Sequence, residues 1–139
     1  MNEVTKLLVD ADAFVALNDQ HDSNHERAVK LSTIITAQAI DILTSDPAFG
    51  EAITVISQHV GLNKAVDFAE GLLASQIDIV EVDARLRKEA FEIFKKQTSK
   101  NSRFTDCINM AVMREKGLTI IFSFDEQYKK NKFKRFGID

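Results

Sequence analysis

Two hydrophobic habits alternate along the chain. Short apolar runs without internal alternation, Leu7-Leu8-Val9 and Ile120-Ile121-Phe122 among them, read as strands covered on both faces, as in the centre of a parallel sheet. Between them lie longer segments with apolar residues at helical spacing. The first run enters Asp10, and Ala13 to Leu17 then reads as a short helix. After the polar stretch 18–23, a helix is predicted from Asn24 to about Gln38, burying Ala28, Leu31, Ile34 and Ile35. Asp41 to Thr44 is short and β-compatible, and Ser45-Asp46-Pro47 closes it. That trio reads as a helix start, with Asp46 as cap and Pro47 at the first helical position, where its missing N–H costs nothing. The helix reaches Val60 and stops at Gly61. Another runs from Asn63 to Ser75, with Ala65, Val66, Ala69, Leu72 and Leu73 on one side.

Ile77 to Val82 is the next strand. Asp78 and Glu81 interrupt it, which suits a sheet edge. A helix from Asp83 to Lys96 follows, with the stripe Leu86, Ala90, Ile93 and Phe94, and then a polar loop from Gln97 to Phe104. Thr105-Asp106 opens a helix that turns Ile108, Ala111 and Val112 to the core and ends at Gly117. Leu118 to Phe124 forms a strand that delivers Asp125. The tail is Lys-rich, and 133–138 can add a short last strand. This order predicts an α/β sandwich of three layers, a mostly parallel central sheet flanked by helices, with right-handed crossovers.

Composition narrows the class. The chain has 139 residues, 45% of them hydrophobic, which is enough for one domain with a real core. One Pro and five Gly leave no room for a linker rich in either. The single cysteine, Cys107, cannot form an internal disulfide, so a reducing cytoplasm is expected. It has no neighbouring His or basic residue to activate it and reads as a buried thiol. The sequence pattern offers neither a signal peptide nor a membrane span.

The net charge of −3 does not advertise a nucleic-acid binder, but its distribution says more. Nine of the 18 basic residues fall in two segments: Lys95, Lys96, Lys100 and Arg103, then Lys129, Lys130, Lys132, Lys134 and Arg135. They are either solvated surfaces or two arms that hold a phosphate backbone beside an acidic centre.

The candidate chemistry is positional. Asp10 and Asp125 end strands, while Glu51 and Asp106 lie in early helical turns. In an open α/β sheet such positions meet beyond the carboxyl ends of the strands. Asp10 alone could be no more than a helix cap. Four carboxylates on one rim are different: a pair about 4 Å apart repels by roughly 4 kcal/mol at an effective dielectric of 20. Four are tolerable only with a shared proton or a cation. An all-oxygen set without paired His or Cys points to Mg²⁺ or Mn²⁺ rather than zinc, and so to phosphodiester hydrolysis.

The pieces LLVDADAF at Asp10, TSDPAFGE ending at Glu51, FTDCINMAVMREKG at Asp106 and IIFSFD at Asp125 together resemble the PIN domain. In size and layout the chain is similar to the VapC-type toxin nucleases of bacterial and archaeal toxin–antitoxin pairs, across nearly all of 1–139. The resemblance implies a single PIN domain and an Mg²⁺- or Mn²⁺-dependent endoribonuclease. It makes Asp10, Glu51, Asp106 and Asp125 the catalytic, metal-binding residues, and Ser123 a hydroxyl neighbour of the last Asp. It also implies an RNA substrate, a homodimer, and a small antitoxin. That partner would wrap 24–38 and 47–60 and aim a basic side chain at the acidic pocket.

Two positions depart from the family's habit. Asp12 stands where Ser or Thr is common; it either caps the first helix or joins the acidic shell. Phe124 stands where a small or polar residue is frequent. Asn109, three residues after Asp106, shares its helix face; it orders a metal-bound water or, more simply, faces solvent. His21 and His25 lack a third ligand nearby in sequence, and His59 reads as a polar residue near a helix end.

Rival functions fit less well. A haloacid-dehalogenase-like phosphatase would use Asp10 and Asp12 but needs a later Lys and a further acidic motif that Leu118 to Asp125 does not offer. A receiver domain would need Asp46 as phosphate acceptor, a role its Pro47 neighbour argues against. A PIN nuclease of RNA processing, or a PIN module that binds RNA or protein without cutting, remains as an alternative.

Overall fold

The computed structural model describes residues 3–139; positions 1 and 2 of the expected 1–139 domain lie outside them. Five strands form one sheet, β1 (Lys6–Val9), β2 (Asp41–Ser45), β3 (Asp78–Val80), β4 (Ile120–Phe122) and β5 (Lys134–Arg135), in the order β3-β2-β1-β4-β5. Every pairing is parallel, so the expected mostly parallel sheet is wholly parallel. The strand rich in charge, β3, lies at an edge.

Among the described residues seven helices connect the strands: α1 (Ala11–Asn18), α2 (His25–Ala37), α3 (Asp46–His59), α4 (Leu62–Ala74), α5 (Ala84–Lys95), α6 (Phe104–Glu115) and α7 (Glu126–Lys130). Alternate side chains of β1 serve opposite layers, as the period of a strand requires. Leu7 and Val9 pack with α1, α2, α3 and Ala65 of α4; Leu8 joins Leu43 and Ile121 against α5, α6 and Tyr128 of α7.

Several local expectations change. Ser45, not Asp46, caps α3: its hydroxyl accepts from the amide of Ala48, which moves Pro47 to the second helical position. The last long strand is shorter than Leu118 to Phe124, because the chain turns after Phe122 to start α7, a helix the Lys-rich composition concealed. Four apolar residues assigned to buried faces are exposed: Ile34, Val66, Leu73 and Phe94. They sit on outer flanks of their helices, where this chain alone provides no cover.

Candidate active site

The rim at the carboxyl ends of β1, β2 and β4 collects the acidic residues. Asp10 follows β1 and is buried; Glu51 stands in the second turn of α3, directly after β2; Asp125 follows β4; Asp106 lies in the first turn of α6. Asp10 caps a helix while standing on the acidic rim. Its Oδ1 caps α1 by accepting from the amide of Ala11 at 2.7 Å, and the same carboxylate stands at the acidic centre.

A buried hydrogen-bond network fixes that carboxylate. Asn109 Nδ2 donates to Asp10 Oδ1 at 3.0 Å, and the Tyr128 hydroxyl donates to Asp10 Oδ2 at 2.7 Å. The phenolic oxygen also lies 3.3 Å from Oδ1 of Asp106, so one atom spans the two carboxylates. Asn109 Nδ2 reaches that oxygen too, at 3.0 Å, while Asn109 Oδ1 accepts from the Ser45 hydroxyl at 2.5 Å. Asn109 is therefore fully buried and does not face solvent; it ties the end of β2 to the centre. Tyr128 went unrecognised in the sequence. It is the only tyrosine of the chain, three residues after Asp125. A helix of five residues carries no periodicity by which to orient it.

Asp12 does not cap α1, since Asp10 does. From the first turn of the helix its Oδ2 accepts from the amide of Phe124 at 2.8 Å and from the Ser123 hydroxyl at 3.0 Å. Ser123 Oγ in turn accepts from the amide of Asp125 at 3.1 Å, and Asp125 Oδ1 caps α7 through the amide of Gln127. Asp12 thus braces the turn that carries Asp125. Its Oδ1 is enclosed and has no hydrogen-bond partner in the described structure.

Burial and mutual repulsion shift these groups. Burial above all, then the charges of Asp10 and Asp125, push the Asp12 carboxyl up to about 7. The same causes in the same order push Asp106 up to about 7. Asp10 is raised chiefly by burial, against the hydrogen bonds from Tyr128 and Ala11, with the Glu51 charge adding to the rise. Burial and the charges of Asp10 and Asp106 hold Tyr128 protonated, well above the usual phenol range. Glu51 faces Arg103, whose Nη1 lies 3.4 Å from Glu51 Oε1; the Arg103 amide donates to Asp106 Oδ2.

Among the described residues no three His, Cys, Asp or Glu side chains converge as a preformed metal cage. The Tyr128 hydroxyl stands between the Asp10 and Asp106 carboxylates. The donor set still fits a hard divalent cation. Every donor among Asp10, Glu51, Asp106 and Asp125 is a carboxylate oxygen, and the nearby Asp12 Oδ1 is enclosed without a partner. Burial first, then neighbouring carboxylate charge, raise the proton affinities of Asp12 and Asp106.

The basic arms are only partly available. Lys95 pairs with Glu92 at 3.0 Å and lies over the Phe91 ring, and Lys129 lies 3.7 Å from Asp139. Arg135 is locked to Asp139 and donates to the Phe124 carbonyl. Lys96 lines a groove with Glu89, Glu92 and Glu115. Lys100, Arg103 and Lys130 instead line a cavity of about 720 Å³ beside Asp125. The three histidines share another cavity with Asp19, where His25 Nδ1 bonds the Ala16 carbonyl. Cys107 is buried, as expected, and burial pushes its thiol up to about 11.

Comparison with known proteins gives concordant results. The family model described as the PIN domain matches residues 7–134. The 23S rRNA-specific endonuclease VapC20 of Mycobacterium tuberculosis is 27% identical over 122 residues, covering 88% of this chain and 91% of that protein, in both strain CDC 1551 and strain H37Rv. The crystal structure of Mycobacterium tuberculosis VapC20, described as a sarcin-ricin loop cleaving toxin, superposes with a TM-score of 0.82 at 26% identity. That match covers 91% of this chain and 95% of the other.

Proposed function

This chain belongs to the PIN domain family, and on that premise we propose that it is a metal-dependent endoribonuclease acting as the toxin of a VapC-type toxin–antitoxin pair. The observation that carries the reading is the pair Asp10 and Asp106, two buried carboxylates spanned by one tyrosine hydroxyl at the carboxyl rim of a parallel sheet. Unused carboxylates held this way would only repel.

Asp10, Glu51, Asp106 and Asp125 are the residues that would hold Mg²⁺ or Mn²⁺. When bound, such an ion would neutralise charge at a phosphoryl oxygen and, by lowering the pKa of water, would supply hydroxide as the nucleophile near neutral pH. The chain's own residues orient the centre. Tyr128 and Asn109 fix Asp10, the Arg103 amide fixes Asp106, and Ser123 with Asp12 fixes the turn at Asp125. Lys100, Arg103 and Lys130 hold the phosphate backbone of the RNA.

The chain works in the cytoplasm, pairs as a homodimer, and is held inactive by a small antitoxin whose Arg side chain enters the acidic pocket through bidentate carboxylate contacts. Exposed Val29 and Ile34 on α2, with Leu62, Val66 and Leu73 on α4, are apolar surface that such partners would cover. Described residues contain no helix long and apolar enough to cross a membrane.

The test has two parts. Purified protein should cut cellular RNA with Mg²⁺ or Mn²⁺, and cutting should vanish in excess chelator and in Asp106→Asn. Cleavage that survives either condition overturns the mechanism. Expression in a bacterial host should arrest growth through Asp10, with relief by the neighbouring gene. Harmless expression of a protein that still cuts RNA assigns it to RNA processing instead.

A further inference from the structure

The cavity beside Asp125 brings Lys100, Arg103 and Lys130 together with Asp125 and Glu126. Its volume, about 720 Å³, falls within the range of ligand sites. Lys100 and Lys130 stand on its walls, both exposed and neither with an ion-pair partner among the described residues. Arg103 links it to Glu51 and so to the acidic centre. Phe124, half-buried and packed against the core beside Asp125, is among the residues that line it.

The ring is mounted rigidly. The amide of Phe124 donates to Asp12 Oδ2, its carbonyl accepts from Arg135 Nη1 at 3.0 Å, and its ring meets Phe122 edge-on at 6.2 Å. A residue braced on both sides of its backbone loses little further entropy when a flat ligand is laid on it.

Resting on the nuclease reading, we infer that this cavity seats the nucleotide next to the cleaved phosphate. An unpaired base stacks on Phe124 while Lys100 and Lys130 take the flanking phosphates. A ring serves any base face, so the slot selects unpaired RNA rather than a sequence. A base inside an A-form duplex is stacked on both sides and cannot reach it.

The experiment measures binding in chelator, where no cutting occurs, with three labelled strands of equal length: oligouridylate, oligoadenylate and an abasic ribose-phosphate strand. Wild type should bind at least one base-bearing strand about tenfold or more tighter than the abasic strand. Phe124→Leu, which keeps apolar packing on Phe122, should erase that difference and leave abasic binding and the melting temperature unchanged. Phe124→Tyr should keep it. A base-dependent preference that survives in Phe124→Leu, or its absence in wild type, overturns the slot. Failure of the nuclease reading is separate: wild type that cuts no RNA with Mg²⁺ or Mn²⁺ refutes that reading, whatever the three strands show.

Discussion

The Tyr128 hydroxyl donates to Asp10 at 2.7 Å while standing 3.3 Å from Asp106. A neutral donor between two buried carboxylates does what neither could do for the other. It satisfies one oxygen without adding charge, and it spans the gap between the two carboxylates. Because its proton is held so firmly, the phenol acts as a strut and not as an acid.

Replacing that strut should be costly. Tyr128→Phe leaves Asp10 Oδ2 without its donor and takes one partner from Asn109. The expected destabilisation is about 1–3 kcal/mol, read from urea denaturation in chelator. Affinity for Mn²⁺, by calorimetry, should fall with it, since the carboxylates lose their fixed spacing. An unchanged stability and metal affinity would show the hydroxyl to be incidental.

Asp106→Asn should separate activity from folding. The amide keeps the shape and removes one of the mutually repelling charges. Activity should be lost, while the melting temperature in chelator at pH 8 stays the same or rises. A marked fall in melting temperature would mean that the carboxylate serves the fold.

Metal-free protein should become less stable as pH rises. Asp12 and Asp106 titrate near 7 in the folded chain and near 3.8 when unfolded. Between those values the folded state binds more protons, so their contribution is full below about pH 4 and lost as pH climbs through about 7. Denaturant midpoints in chelator should fall across that window, and saturating Mg²⁺ should flatten the decline at its upper end. A midpoint that rises from pH 5 to 7 in chelator would contradict the assignment.

Salt dependence should distinguish the basic residues. Lys100→Ala with Lys130→Ala should lower the slope of log binding constant against log salt by roughly 0.7 per contact for a single strand. Lys95→Ala, already paired with Glu92, should change it little. Equal effects would return all these lysines to an unspecific surface field.

Much of this was legible in the residues themselves. Apolar runs ending in Asp10 and Asp125, and helix starts carrying Glu51 and Asp106, define a rim, because strand ends and helix N-termini share an edge in a parallel sheet. The support around them was not. Tyr128 sits in a helix too short to show a pattern, and Asn109 looked like a surface residue because a polar side chain declares its burial only through distant partners, here Ser45 and Asp10. Ile34, Val66, Leu73 and Phe94 follow the helical period yet lie exposed. Periodicity finds an apolar flank without saying which molecule covers it.

The pairing of β1 with β4, Leu8 beside Ile121 and Val9 beside Phe122, also sets when the centre can exist. Asp10 is synthesised well before Asp106, Asp125 and Tyr128. Until β4 emerges and docks, the first carboxylate has neither its neighbours nor its strut. Chain topology therefore acts as a clock: the centre can assemble only after β4 and α7 have followed β1 into the fold.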